Sequence, residues 1–173
     1  KDLRKQTQER VDESVIGRES RYIMELNSER SVKIGVGNVR DSKLKIQPFT
    51  TTEGDFDRRL LGTGLSIEGG SPTIFIVKKN TNILKNLYQW LLKNHDLDLE
   101  NNRKLDIPLL LIDDEADYAT VNTKEAQDEI TKTNELIRSI LSLFNKNTYM
   151  GYTATPFANI FIDPDTSEDA IKD

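Results

Sequence analysis

Residues 109–117 read Leu-Leu-Leu-Ile-Asp-Asp-Glu-Ala-Asp, an apolar run that stops abruptly on acids. Together with Ile107, the run Leu109, Leu110, Leu111 and Ile112 is too short for a comfortable helix and lacks polar alternation. It predicts a strand over 107–113 buried on both faces, as in a parallel sheet. Pro108 falls near the entry of that strand, where a missing amide donor is tolerated. Asp114, Glu115 and Asp117 then stand at its carboxyl end, the edge at which open α/β sheets place their ligands.

The flanking sequence repeats the pattern. Upstream, Ile74, Phe75, Ile76 and Val77 predict a second buried strand ending at Lys78, Lys79 and Asn80. Ile83, Leu84, Leu87, Trp90 and Leu91 give the following helix its apolar stripe. Downstream, Asn122 or Thr123 can cap a helix whose apolar residues Ile130, Leu136, Ile137, Ile140, Leu141 and Phe144 recur at spacings of three and four, closed by Asn145-Lys146-Asn147. A third strand, 148–153, runs into Ala154-Thr155-Pro156. Because Pro156 disfavours helical geometry at Thr155, the hydroxyls of Thr153 and Thr155 are presented at the same edge as Asp114 and Glu115. Strand-helix units over 71–162 make the fold class α/β, a mostly parallel sheet flanked by helices with right-handed crossovers. The acidic stretch 163–173 reads as a tail or linker.

Residues 1–70 are less regular. A helix over 2–14 places Leu3, Thr7 and Val11 on one face and ends at Gly17. Its exposed face would carry Arg4, Gln6, Gln8 and Arg10, suited to phosphate oxygens, the plainer alternative being a solvated amphipathic helix. Residues 32–36 and 44–49 predict short strands, and 56–61 the start of a helix after Asp55. Gly62, Gly64, Gly69 and Gly70 read as a flexible connection. A phosphate loop needs Gly-x-x-x-x-Gly-Lys-Ser/Thr, and no Gly-Lys pair occurs in the sequence.

Composition narrows the classes. The 173 residues suit one domain with a true core. A hydrophobic share of 36% with 31% charged residues describes a wet-surfaced globular chain without an apolar stretch of membrane length. No signal peptide is expected, and the start at Lys1 suggests a fragment. The absence of cysteine excludes disulfides and thiolate metal sites and fits a cytoplasmic setting. The single histidine, His95, cannot build a zinc site and predicts a surface helix end. A net charge of -5 argues against a generally basic nucleic-acid coat, but leaves room for a local basic track.

Hydrolysing a nucleoside triphosphate requires neutralised phosphate charge and an oriented water. A strand-end carboxylate holds magnesium, commonly through water, and the next acid can take a proton from the attacking water. Asp114 suits the first role and Glu115 the second, while Asp117 could hydrogen-bond Thr153 or Thr155. ATP and magnesium are thus the expected cofactors, in a motor acting on nucleic acid. A solvated acid cluster, a non-catalytic nucleic-acid or protein interaction module with an ATPase-like sheet, and a two-metal nuclease are the competing readings. The nuclease wants a lysine or further acids beside the cluster.

Asp114-Glu115-Ala116-Asp117 resembles motif II, and Thr153-Ala154-Thr155-Pro156 motif III, of superfamily 2 helicases and translocases. With Leu3-Arg4-x-Gln6-Thr7-Gln8-x-Arg10 and Gly151-Tyr152-Thr153-Ala154-Thr155-Pro156-Phe157-Ala158-Asn159, the chain is similar to the Z1 domain family of bacterial endonucleases. The resemblance implies a partial RecA-like (P-loop NTPase-type) lobe one over 1–162, in an ATP-dependent DNA endonuclease or translocase of restriction-modification or DNA defence. It implies Asp114 and Glu115 as magnesium and water-activating acids, with Thr153 to Thr155 as the coupling segment. Arg4, Gln6, Thr7 and Arg10 become the motif Ia element facing DNA, with Lys78 and Lys79 on the same track. It also implies a phosphate-binding loop, a second RecA-like lobe and a nuclease region elsewhere in a longer parent, the fragment alone being inactive.

Overall fold

The computed structural model describes residues 2–21, 32–39, 46–57, 66–114 and 124–152, the side chains of 124–127 excepted. The elements are α1 (Leu3–Val11), β1 (Gln47–Pro48), β2 (Thr73–Ile74), α2 (Thr81–Asn94), β3 (Leu105–Asp114), α3 (Lys124–Ser142) and β4 (Phe144–Tyr152), with a π-helical turn at Asp12–Ile16 and a 3-10 turn at Gly35–Asn38. β1 pairs with β2 and β3 with β4, both in parallel. The class is therefore mixed α/β, with small parallel sheets flanked by helices.

The β3–α3–β4 unit follows from parity and periodicity. Leu105, Ile107, Leu109 and Leu111 face or pack against the core, joined there by Ile137 and Ile140 of α3 and Leu143. β3 alternates strictly between inner and outer residues. Leu110 and Ile112 are 55% and 57% exposed, and Met150 and Tyr152 lie on the same outer face by register. The expected burial on both faces is thus corrected to one face. Pro108 sits where expected, beside a register irregularity between Leu105 and Pro108 that absorbs its missing donor.

α2 buries Leu84, Leu87, Trp90 and Leu91, the expected stripe. Trp90 is the hub of an aromatic cluster, with Phe49, Phe56 and Phe75 at centroid distances of 5.4, 5.7 and 6.0 Å. Burial of such side chains contributes about 1.5–3 kcal/mol each. His95 corrects the expectation of a surface helix end. Its ring is buried edge-on against Trp90, with Nδ1 3.2 Å from Glu68 Oε2.

Other boundaries moved. Residues 75–77 continue beyond β2 without regular pairing, so the expected strand shrinks to two residues. α3 stops at Ser142, and Phe144 begins β4 instead of closing the helical stripe; Asn145, Lys146 and Asn147 belong to that strand. Asn147 Nδ2 donates to the carbonyls of Leu141 and Phe144, which ties the abrupt turn together. The expected strand at 32–36 is a single antiparallel bridge, Arg18 to Lys33, followed by the 3-10 turn. Of the expected strand 44–49 only Gln47–Pro48 is regular, with 44 and 45 outside the described residues, as are 58–61 of the expected helix.

The helix ending at Gly17 is correct, but its last turn is π-helical, closed by Gly17 N–H donating to Asp12 O at 2.7 Å with φ of 75° at Gly17. The 3-10 turn lies directly on this end. A Cβ on Gly37 would overlap the carbonyl oxygen of Gly17. Gly37→Ala is expected to destabilise the chain by about 1–3 kcal/mol, the usual cost of overpacking. Urea unfolding should show a lower midpoint at unchanged slope; an unshifted midpoint would refute the tight approach.

Candidate functional site

The strict alternation of β3 sends its last two acids to opposite faces. Asp113 points inward and is 6% exposed, and its Oδ2 accepts from Lys79 Nζ and from Tyr149 OH, each at 2.8 Å. Lys79 is placed by the start of α2, where the Asn80 side chain caps the helix by accepting from the amides of Asn82 and Ile83. Tyr149 is placed by register, opposite Leu111 on β4. Burial, then the hydrogen bond to Asp113 and its charge, push the Tyr149 phenol up to about 12. The phenol therefore stays protonated and donating at neutral pH. Its raised pKa favours the fold below its ordinary value near 10, a contribution lost as pH climbs through about 12.

Asp114 points outward at the carboxyl end of β3, exposed and opposite Tyr152. Among the described residues its carboxylate has neither an ion pair nor a side-chain hydrogen bond. No cluster of three or more metal-ligating side chains occurs among the described residues. A single outward carboxylate nevertheless fits magnesium, which keeps several waters and takes one or two carboxylates together with substrate phosphates. Glu115, Asp117, Thr153 and Thr155 lie outside the described residues. β4 runs parallel to β3 as far as Tyr152, the residue paired with Asp114.

The α1 surface differs from its expectation. Its buried face is the polar stripe Arg4, Gln8 and Asp12, while Leu3 is 66% exposed. Arg4 donates to the carbonyls of Thr51 at 2.8 Å and Ile76 at 3.4 Å, and its Nε lies 4.0 Å from Asp55 Oδ2. Gln8 donates to Asp12 Oδ1 and accepts from Thr50 Oγ1, whose oxygen in turn accepts from Ile76 N–H. Asp12 Oδ2 also accepts from the amide and hydroxyl of Ser20. Every member of this buried network is paired, as burial of polar groups demands. The Thr50 hydroxyl takes the amide of Ile76 just past the last paired residues of β1 and β2, so the network extends the short ladder.

Arg4 is therefore buried and bonded to the chain's own backbone, not exposed as expected. Gln6 is half-buried, and Thr7 is exposed with its hydroxyl donating to Leu3 O at 3.0 Å. Arg10 is exposed. Lys78 is exposed, its ammonium 3.5 Å from Asp2, and its amide donates to Asp55. Lys79 is engaged by Asp113 rather than standing free on a track. The exposed remainder of α1 mixes Lys5, Glu9 and Arg10, which makes no concentrated positive face.

Sequence reasoning missed Asp113 and Tyr149 because their roles depend on strand parity and register. A signal for the α1 network was present: Arg4, Gln8 and Asp12 recur at a spacing of four, a helical stripe of hydrogen-bonding groups. Comparison of the chain with protein-family models, curated proteins and solved structures finds no match.

Proposed function

We propose that the chain is part of the ATPase motor of an ATP-dependent DNA endonuclease or translocase, a partial RecA-like lobe acting in restriction-modification or DNA defence. The carrying observation is the outward, exposed carboxylate of Asp114 at the carboxyl end of β3 in a parallel β3–α3–β4 unit. The resemblance of residues 114–117 and 153–156 to motifs II and III supports the same reading. Magnesium bound with ATP would neutralise phosphate charge. Asp114 would hold the ion, and Glu115 would accept the proton of the attacking water. Lys78, Thr7 and Arg10 remain the exposed groups available to a DNA backbone.

The test is DNA binding by the intact protein titrated with salt, with and without ATP. A motor changes its affinity with nucleotide state, by coupling of about 5-fold or more, at a salt slope that reports its phosphate contacts. Identical curves in the two states would reject the motor. They would favour an interaction module, a reading for which the exposed apolar face of Leu110, Ile112, Met150 and Tyr152 speaks.

A further inference from the structure

We infer that Asp113 is a positioning residue that acts through its neighbour Asp114, with Lys79 and Tyr149 as the two groups that hold it. The inference rests on the ATPase reading above.

Position 113 continues the inward series Leu105, Ile107, Leu109 and Leu111, so an aliphatic residue there would simply extend the core. A mostly buried ion pair is, by comparison, close to neutral or unfavourable for stability. The carboxylate therefore calls for a reason other than stability, and its geometry supplies one. Lys79 and Tyr149 come from two different segments and converge on one oxygen, Oδ2. No ladder joins residues 75–79 to β3 among the described residues, so the Lys79 contact links the end of that segment to the end of β3, while the Tyr149 contact adds a side-chain link to the paired strand β4. Adjacent strand residues share one pleated backbone, so fixing the side chain of Asp113 inward fixes the direction in which Asp114 leaves outward. The same anchor holds β4 three residues before Tyr152, the residue paired with Asp114.

Tyr149→Phe, Lys79→Met and the double variant should be compared in the intact protein with ATP, magnesium and DNA, each corrected for folded fraction by thermal unfolding. Each single change is expected to lower kcat about tenfold with KM for ATP altered less than about twofold. Because both contacts act through one oxygen, the double variant should also lose about tenfold rather than about a hundredfold. Magnesium affinity, measured calorimetrically in the presence of a non-hydrolysable ATP analogue, should fall in all three, a readout that lost stability alone does not move. Unchanged kcat per folded molecule, or losses that multiply, would overturn the inference while leaving the ATPase reading in place. An unaltered protein that releases no phosphate from ATP would overturn both.

Discussion

Glu115→Gln in the intact protein is expected to reduce steady-state phosphate release about a hundredfold or more, while ATP binding is retained. The amide keeps the size and hydrogen-bonding reach of the carboxylate but cannot take a proton. A general base contributes about 10²–10⁴-fold to a reaction of this kind, or roughly 3–5 kcal/mol of barrier. Magnesium binding should survive, because Asp114 rather than Glu115 is assigned to the ion. Release at the unaltered rate would remove Glu115 from the chemistry. Loss of ATP binding along with turnover would mean that Glu115 contributes to the ion site instead.

Arg4→Met should act on stability rather than on DNA affinity. The guanidinium bonds two carbonyls from separate segments and lies beside Asp55, and methionine replaces its stem without its donors. Hydrogen bonds to charged groups contribute about 1.5–3 kcal/mol each when their loss leaves the partner unpaired. The longer bond to Ile76 is weaker, which points to a total of about 3 kcal/mol and a fall in Tm of roughly 10 °C for a chain of this size. Arg10→Met, on the exposed face of the same helix, serves as the contrast and should leave Tm within about 1 °C, as surface changes usually do. A variant at position 4 that unfolds normally yet binds DNA weakly would restore the expected nucleic-acid face.

Legibility in the sequence tracked the kind of force involved. α2, β3 and α3 were visible because apolar periodicity reports which side of an element meets the core, and the parallel β3–α3–β4 unit followed from their order. The one-sided burial of β3 was not visible: Leu110 and Ile112 have the same composition as Leu109 and Leu111, and only the packing distinguishes them. α1 failed for a different reason. Arg4 and Gln8 look like surface residues until Thr50, Thr51 and Ile76 are known to lie beneath them. At the candidate site, Asp114 was legible from its place after an apolar run. Asp113 was not, since one step along a strand reverses the face and exchanges an exposed acid for a buried one.

Among the described residues, the hydrogen bonds that fasten α1 to later segments of the chain span 42, 47 and 72 residues. A nine-residue helix of such polar sequence has little stability by itself in water. Synthesis runs from the amino end, so α1 leaves the ribosome before these partners, and its bonds cannot close until Thr50, Thr51 and finally Ile76 have followed. Order of emergence and order of assembly are thus reversed here: α1 is made before the segments that hold it and is secured only after them.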